Sequence, residues 1–141
     1  MKGRCFIRGY QKGDAFKVRA QKEQEAEAKE FGGFFDDITA YSLCEENKIL
    51  GVFGYVIDEK NEAYCYGLLS QNAAPYLGFL IRFIKKETAL VCDQKKVVKV
   101  MMTVKKSFDH AGRFAKLLGY SYAKDLPRFY ENEDYQLFER I

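Results

Sequence analysis

The sequence is short of several residue types, and each shortage narrows what the chain can be. Its 141 residues include no Trp, two Pro and one His, with 11 Gly. Apolar residues make up 48% of the chain and aromatic residues 16%, so a disordered segment, a collagen and a flexible linker array are excluded. This length and composition predict one domain, spanning 1–141, with a single buried core.

The sequence also lacks paired cysteines and a large net charge. The cysteines Cys5, Cys44, Cys65 and Cys92 form no CxxC pair, and with a single histidine they do not support a zinc site. We expect reduced, mostly buried thiols and no metal cofactor. A net charge of +3, from 23 basic and 20 acidic residues, is too small to indicate a polyanionic partner. A nucleic acid therefore ranks low among the expected partners.

Long apolar runs are missing as well. The start of the sequence lacks the apolar core of a signal peptide, and no stretch approaches the ~20 apolar residues that span a membrane. These features predict a soluble intracellular protein without a membrane partner.

The first half of the sequence predicts a strand, a polar helix and three more strands. A short apolar run at 5–7 is followed by Asp14, which is placed to cap a helix over 15–31. Gly32 and Gly33 are expected to stop this helix, which is weakly amphipathic and is expected to border a substrate groove or a partner. Three β-rich runs separated by polar turns predict an antiparallel meander: 38–44, 49–57 and 63–69.

In the second half, the apolar residues recur at three- and four-residue steps. They predict a helix over 76–93, and the apolar run 97–104 then predicts a strand covered on both faces. Because a helix connects them, the strands at 63–69 and 97–104 are expected to be parallel.

The end of the chain predicts one more helix and two strands. Ser107 or Asp109 is placed to cap the helix, and Gly119 ends it in the left-handed conformation. The strands are expected at 120–123 and 135–141, joined by a polar loop through Pro127. The whole order, β-α-β-β-β-α-β-α-β-β, predicts an α/β (α+β) fold with a mixed central sheet of about six to seven strands and helices on both faces.

Two stretches carry a resemblance to a known family. Lys48-Ile-Leu-Gly-Val52 opens a strand, and Ala111-Gly-Arg-Phe-Ala-Lys-Leu-Leu-Gly119-Tyr120 covers a late helix and turn. In this order of elements they resemble the GNAT superfamily of acyl-CoA-dependent N-acetyltransferases. The resemblance implies a GNAT-like fold over the single domain, with acetyl-CoA as a substrate.

A narrower resemblance extends over about 6–138. The segments 65–70, 79–83, 112–119 and 135–138 are similar to the small GNAT-like internal virion protein A type of short-tailed bacteriophages. This similarity implies a phage or host protein as a further partner, and a location in the host cytoplasm or inside the virion.

The resemblance places an acetyl-CoA site where the two parallel strands separate after Leu69. A backbone N–H near Leu69 would polarise the thioester carbonyl, and the helix that begins near Pro75 would face the pyrophosphate. The family's acyl-CoA loop, (Q/R)-x-x-G-x-(G/A), falls on 71–76, with Ala74 and Tyr76 at its two small-residue positions. The cofactor-binding candidates are Gly67, Leu68, Leu69, Gln71, Ala73, Ala74, Tyr76, Leu77, Arg82 and Lys106.

Acetyl transfer also needs groups that move protons, because an amine with a pKa of roughly 10.4 must be deprotonated before it attacks. The tyrosine that the family often uses to protonate the departing thiolate falls at Ala115. The catalytic candidates are therefore Glu62, Tyr66, Tyr120 and His110, with Tyr64 considered beside Tyr66 and Tyr122 beside Tyr120. The alternative for His110 is a solvated surface residue, and for Tyr64 and Tyr66 it is ordinary packing in a sheet.

A basic run lies near the expected site: Arg82, Lys85, Lys86, Lys95, Lys96, Lys99, Lys105 and Lys106. It would neutralise the phosphates of CoA or contact nucleic acid, and a solvated helix face is the alternative. Two functions follow. The first is a phage-type GNAT-like N-acetyltransferase that transfers an acetyl group to an amine of a protein or small molecule. The second is a non-catalytic GNAT-fold protein that serves as a virion component or a host-protein-binding module.

Overall fold

The computed structural model describes residues 4–19, 24–25, 29, 32–130 and 132–140. The strands are β1 (Cys5–Gly9), β2 (Thr39–Glu45), β3 (Lys48–Ile57), β4 (Glu62–Leu69), β5 (Lys99–Lys105), β6 (Ser121–Tyr130) and β7 (Glu133–Arg140). The α-helices with defined bounds are α1 (Leu77–Lys95) and α2 (Asp109–Leu117). The 3-10 helices are Asp14–Lys17, Gly32–Asp37 and Gln71–Tyr76.

The strands form a mostly antiparallel seven-stranded sheet in the order β1-β2-β3-β4-β5-β7-β6. β4 and β5 pair parallel, because α1 connects them and returns the chain to the same end of the sheet. The predicted mixed α+β fold with six to seven strands is therefore confirmed. By its contacts the chain divides into a first unit, Met1–Val56 with Tyr66–Leu80, and a second unit, Ile57–Cys65 with Ile81–Ile141.

In the first unit, β2 pairs antiparallel with β1, from Cys5 opposite Glu45 to Gly9 opposite Tyr41, and with β3, from Thr39 opposite Tyr55 to Glu45 opposite Lys48. A bulge between Leu43 and Cys44 shifts the register of β2 against β3. The core of this unit takes apolar side chains from β2 and β3, of which Leu43 and Val52 are fully removed from solvent. The first two runs of the predicted meander, 38–44 and 49–57, are thus confirmed as the antiparallel strands β2 and β3.

The predicted helix over 15–31 does not begin at Asp14. Gly13 precedes a single 3-10 turn, and Val18 already has extended backbone, with ψ at 129°. The side chain of Asp14 is fully buried and accepts hydrogen bonds from Arg8 and Ser42. A buried carboxylate needs a cation and donors from the rest of the fold, so Asp14 serves the core of the unit.

The remainder of the predicted first helix, with its proposed groove-facing residues, lies mostly outside the described residues. Gly32 and Gly33 begin the 3-10 helix Gly32–Asp37, and the residues directly before them lie outside the described part of the chain. The ring of Phe16 lies against this segment, and a Cβ built on Gly32 would stand 2.9 Å from it.

In the second unit, β5 pairs with β7 along its length, from Val100 opposite Arg140 to Lys105 opposite Tyr135. Buried apolar side chains of these strands and of α2 form one cluster, which includes Val100, Ala115 and Phe138. The apolar run 97–104 is confirmed as a strand, and the helix predicted over 76–93 is confirmed as α1.

The C-terminal end of α2 is as predicted from the sequence, and its N-terminal end is not. Gly119 follows the helix with φ at 95°, the left-handed conformation that favours glycine, as predicted. The N-cap is neither Ser107 nor Asp109 but Phe108, which makes no side-chain capping bond and is buried. Packing of this ring decides where the helix begins, at the expense of a polar cap.

The predicted polar loop through Pro127 is wrong, because β6 continues from Ser121 to Tyr130. β6 is the last strand in the sheet order, and its pairing with β7 is irregular between Leu126 and Tyr130. Proline is accepted on an edge strand and at a bulge because no ladder hydrogen bond is lost there. Among the described helices, none has both the length and the apolar character needed to cross a bilayer.

Candidate active site

The candidate site begins with the carboxyl half of β4, whose backbone groups alternate between two edges. The N–H of Ser70 donates to the carbonyl oxygen of Leu50 on β3 at 2.8 Å. Because successive residues of a strand point their backbone groups in opposite directions, those of Gly67 and Leu69 lie on the edge opposite β3. Asn61 is odd-numbered like Gly67 and Leu69, and its carbonyl oxygen accepts a hydrogen bond from the N–H of Val98, just before β5.

The parallel pairing of β4 with β5 is short. It joins Glu62 with Lys99, Ala63 with Val100 and Tyr64 with Met101, and it goes no further among the described residues of the two strands. The expectation that the strands separate after Leu69 is therefore wrong in its position, since the pairing ends at Tyr64. A longer part of β4 than expected has an edge that is not used by β5.

Gln24 occupies this edge of β4. Its side-chain Nε2 donates to the carbonyl oxygen of Gly67 at 3.0 Å, and the N–H of Leu69 donates to its Oε1 at 3.4 Å. Nothing in the sequence signals this contact, because Gln24 lies more than forty positions from Gly67 and Leu69, in a generally polar stretch. It is the functional candidate that sequence reasoning missed.

The segment that corresponds to the acyl-CoA loop is a 3-10 helix, Gln71–Tyr76, that leads directly into α1. Ser70 caps it: its Oγ accepts from the N–H of Asn72 at 3.1 Å, and its carbonyl accepts from the N–H of Ala73 at 3.0 Å. α1 itself begins at Leu77, two residues after Pro75. Two of the backbone donors expected to face a pyrophosphate are thus already bonded within the segment.

The binding candidates in this segment have different environments. Ala73 is buried, Gln71 and Ala74 are exposed, and Tyr76 and Leu77 are half-buried. Gln71 and Tyr76 line an open groove of about 440 Å³ in the first unit.

Tyr76 points into this groove. Its hydroxyl donates to the carboxylate of Glu45 at the end of β2. This hydrogen bond raises the pKa of Tyr76 to about 12. The side chain of Tyr76 is therefore tied to the end of β2 through the carboxylate of Glu45.

Leu69 is positioned by a glycine on β3. A Cβ built on Gly51 would stand 2.5 Å from Cδ2 of Leu69 and 3.1 Å from the carbonyl oxygen of Leu68. Leu68 itself is buried, and Leu69 is half-buried. The close approach that Gly51 allows fixes the strand whose outer edge carries the candidate donor.

Of the catalytic candidates in the second unit, Tyr120 is the most buried. It is 4% exposed, and its hydroxyl lies 3.6 Å from the Sγ of Cys65. Burial raises the pKa of Tyr120 and that of Cys65 above their ordinary values. Both groups are therefore neutral at physiological pH.

The remaining charged candidates of the second unit already have partners. Glu62 lies 3.7 Å from the Nζ of Lys99, which also lies 3.7 Å from Glu139. Lys106 lies 3.6 Å from Asp125. Two members of the basic run are thus partly neutralised by neighbouring carboxylates.

Two further candidates of the second unit lie on helices. His110 is exposed on α2, where its Nδ1 lies 3.2 Å from Arg113. Arg82 is exposed on α1. No group of three or more His, Cys, Asp or Glu side chains that would suit a metal ion occurs in the described part of the chain.

Tyr66 lies on the exposed face of β4 in the first unit. Its ring meets that of Phe34 edge to face, with 5.0 Å between the ring centroids. The two side chains are 41% and 39% exposed. Tyr64, two residues earlier, is 37% exposed, so the side chains of both tyrosines of β4 reach solvent.

Comparison with known proteins identifies the fold. No protein-family model matches the sequence, and no curated protein matches it. An acetyltransferase of the GNAT family from Bacillus anthracis matches in structure with a TM-score of 0.73 at 9% identity, over 100% of this chain and 96% of that one. Ard1 from Thermoplasma volcanium matches with a TM-score of 0.76 at 17% identity, over 97% of each chain.

A third solved structure agrees. The ribosomal-protein-S5-alanine acetyltransferase from Vibrio fischeri matches with a TM-score of 0.69 at 13% identity, over 97% of this chain and 92% of its own. These likenesses extend over almost the whole of each molecule. The chain therefore has the fold of the GNAT acetyltransferases.

Proposed function

We propose that the chain is an acyl-CoA-dependent N-acetyltransferase, built as one GNAT-like domain, that moves an acetyl group from acetyl-CoA to an amine of a protein or a small molecule. The observation that carries the proposal is the outward-facing backbone of β4 at Gly67 and Leu69. The fold shared with solved GNAT acetyltransferases supports it.

The edge of β4 suits a thioester substrate that carries amide groups. The carbonyl of Gly67 accepts from an amide N–H, and the N–H of Leu69 donates to an amide oxygen, as the side chain of Gln24 demonstrates. In acetyl transfer the thioester carbonyl oxygen gains negative charge when the amine attacks. An oriented backbone N–H at this place would stabilise that charge without having to reorganise, and the edge would position the thioester for attack.

Basic side chains would bind the phosphates of acetyl-CoA. Arg82 is the candidate with an exposed guanidinium, and Lys106 would have to exchange Asp125 for a phosphate. Within 71–76, we assign Gln71 and Ala74 to contact with the cofactor because both are exposed. Ala73 is buried and would act through the shape of the segment.

The proton-transfer groups follow from their surroundings. Burial raises the pKa of Tyr120, so it stays protonated and is a weak acid. We therefore assign it a hydrogen bond to the developing thiolate in preference to full proton donation. Glu62, which lies 3.7 Å from the Nζ of Lys99, would accept a proton from the amine through water. Tyr66 and His110 are assigned to the acceptor side because both are exposed.

A second candidate function is a non-catalytic GNAT-fold protein that serves as a virion component or binds a host protein. Two observations favour it: Gln24 occupies the edge of β4, and Ser70 occupies donors of the acyl-CoA segment. Pro75 contributes no N–H in the same segment. The phage-type assignment rests on the order of the sequence segments between 65 and 138 alone.

Calorimetric titration with acetyl-CoA tests the proposal. Ligand at 100 times its dissociation constant would stabilise the fold by about 2.7 kcal/mol, so a thermal shift gives an independent readout. Binding together with CoA release in the presence of an amine acceptor would support the acetyltransferase. A flat titration at millimolar acetyl-CoA would remove it in favour of the non-catalytic alternative.

A further inference from the structure

We propose that Cys65 is a positioning residue, whose thiol donates a hydrogen bond to the hydroxyl oxygen of Tyr120 and thereby points the phenolic O–H at the departing thiolate of CoA. The inference rests on the acetyltransferase function proposed above, in which Tyr120 makes the hydrogen bond to that thiolate. It adds a group that acts through Tyr120 and does not itself touch the substrate. The observation that carries it is the 3.6 Å contact between the Sγ of Cys65 and the hydroxyl oxygen of Tyr120.

The fold holds the backbone and the ring of Tyr120, so only its O–H bond remains to be oriented. The N–H of Tyr120 donates to the carbonyl oxygen of Ala115 at 3.1 Å, directly after the left-handed turn at Gly119. The ring packs in the buried cluster of the second unit, and the residue is 4% exposed. A phenolic O–H bond rotates to suit its surroundings, so its direction depends on the hydrogen-bond partners of the oxygen.

Cys65, on β4, is that partner. Within the described part of the chain, the contact with its Sγ is the only hydrogen bond of the Tyr120 hydroxyl. The Cys65 side chain is half-buried and packs against the same apolar cluster as the ring of Tyr120. Because so little of Tyr120 is exposed, water competes weakly for its oxygen. One thiol therefore decides where the phenolic proton points.

The chemistry of the two groups favours the thiol as the donor. Burial raises the pKa of Cys65 and that of Tyr120, so each group carries its proton at physiological pH. Sulfur is a weak acceptor, and the phenolic oxygen both accepts and donates. When the S–H donates to this oxygen, the phenolic proton is left for a second acceptor, and the two hydrogen bonds strengthen each other.

The proposed reaction creates this second acceptor. When the amine nitrogen bonds the acetyl carbon, the C–S bond breaks, its electron pair stays on the sulfur of CoA, and the amine proton passes through water to Glu62. Tyr120 keeps its own proton and stabilises the thiolate through the hydrogen bond, and the thiolate then takes a proton from water. Free CoA presents the same sulfur, so its binding reports on the orientation of Tyr120 without an amine acceptor.

The experiment measures what the sulfur of CoA contributes to binding. Calorimetry gives the affinities of CoA and of desulfo-CoA, which lacks only the sulfur, at about pH 7 and about pH 9, on either side of the ordinary thiol pKa of about 8.5. The ratio of the two affinities is the sulfur preference. In wild type this preference should rise by about three- to tenfold with pH, because a thiolate accepts a stronger hydrogen bond than a thiol.

Variants at two cysteines separate positioning from packing. Cys65→Ala removes the thiol that orients Tyr120 and should lower the sulfur preference at high pH by about two- to fivefold. Cys65→Ser keeps a donor at the same place and should keep the wild-type preference. Cys92→Ala is the matched control, because Cys92 is also half-buried against this cluster but its Sγ accepts from Arg140 at 3.8 Å. It removes a thiol without taking a partner from Tyr120, so the preference should stay at the wild-type value.

The Tyr120→Phe variant tests whether Cys65 acts through the phenol. This variant should lose the rise of the sulfur preference with pH, and adding Cys65→Ala to it should change nothing further. A separate effect of Cys65→Ala in the Tyr120→Phe protein would contradict an action through Tyr120.

The other outcomes are equally decisive. Equal sulfur preference in wild type and Cys65→Ala would overturn the positioning role and leave the binding of CoA intact. An equal loss in Cys92→Ala and Cys65→Ala would assign the effect to loosened packing, and a loss in Cys65→Ser would show that a donor at this place is not what matters. A wild-type preference that does not change with pH would remove Tyr120 from the thiolate. Absence of binding of both ligands would overturn the proposed function and this inference together.

Discussion

The hydroxyl of Tyr120 lies 3.6 Å from the Sγ of Cys65 in the second unit, and it is the contact that defines the environment of Tyr120. Tyr120 belongs to the buried cluster of the second unit, in which Val100 and Ala115 are also removed from solvent. The free energy needed to ionise a phenol is higher in such surroundings than in water. Burial accordingly raises the pKa of Tyr120, and the nearby Cys65 contributes in the same direction.

The first prediction concerns the pH dependence of stability. Because the native pKa of Tyr120 is raised, its contribution is fully present below the unfolded value of about 10 and is lost as pH rises above it. We expect the free energy of unfolding of the wild type to fall between about pH 9 and pH 11, and to fall less in Tyr120→Phe. Urea denaturation at several pH values in this range measures the free energy of unfolding of wild type and of Tyr120→Phe.

Tyr122→Phe is the matched control for that experiment. Tyr122 is 49% exposed and donates to Asp125, so solvent screens its ionisation and its removal should change the alkaline profile much less. Equal profiles for wild type and Tyr120→Phe would contradict the assignment of a buried, neutral phenol.

A second prediction concerns Gly51, which leaves room for Leu69. Gly51→Ala places a Cβ 2.5 Å from Cδ2 of Leu69, and this overpacking should destabilise the protein by about 1 to 3 kcal/mol. The same change should weaken acetyl-CoA binding, because it displaces the strand that carries the Leu69 N–H. Denaturation and calorimetry measure the two effects.

Gly9→Ala serves as the control for Gly51→Ala. Gly9 also lies in a strand, but nothing stands within 4 Å of a Cβ built on it. Its replacement should leave stability and binding close to wild type. If the two variants behave alike, the contact between β3 and Leu69 is not what positions β4.

Much of the fold followed from the sequence because it depends on local periodicity. The apolar run around Val100 predicted β5, and the three- and four-residue spacing that buries Leu80 predicted α1. These patterns reflect burial along a single element, which a sequence records directly. The predictions that failed depend on distant partners. The sequence around Asp14 is typical of an N-cap, but its side chain is buried and accepts a hydrogen bond from Ser42, 28 positions further along the chain.

Position within the sheet accounts for the other failures. The prediction of a polar loop through Pro127 fails because this proline lies on an edge strand, where it is tolerated, and only the strand order shows that position. The candidate residues Gly67 and Leu69 come from the resemblance to the GNAT superfamily. That their backbone groups share one edge, and that Gln24 occupies it, depends on hydrogen bonds to residues more than forty positions away.

A third prediction concerns the buried ion pair of the first unit. Burial by itself would raise the pKa of Asp14, but hydrogen bonds from Arg8, the N–H of Gln11 and Ser42 lower it overall. Arg8→Ala leaves this carboxylate buried without its cation and should destabilise the protein by about 3 kcal/mol at neutral pH. Chemical denaturation measures the loss.

The pH dependence of the Arg8→Ala effect distinguishes loss of the ion pair with Asp14 from loss of side-chain packing. A lowered native pKa gives stability that is present above about pH 4 and is lost as pH falls through the native value. The difference between wild type and Arg8→Ala should therefore shrink from pH 6 to pH 3. Arg4→Ala, at an exposed position, should show no such trend. A difference that stays constant with pH would attribute the loss to packing of the Arg8 side chain.

The last prediction tests whether α1 faces the phosphates of acetyl-CoA. Arg82 is exposed on this helix, so Arg82→Glu replaces an attraction to the phosphates with a repulsion and should weaken acetyl-CoA binding by about three- to tenfold at low salt. Because exposed charges are screened, the effect should diminish as ionic strength rises. Lys116→Glu reverses an exposed charge on α2 and controls for net charge. Calorimetric affinities that fall equally in both variants would assign the loss to overall charge, and unchanged affinity in Arg82→Glu would place the phosphates away from this face of α1.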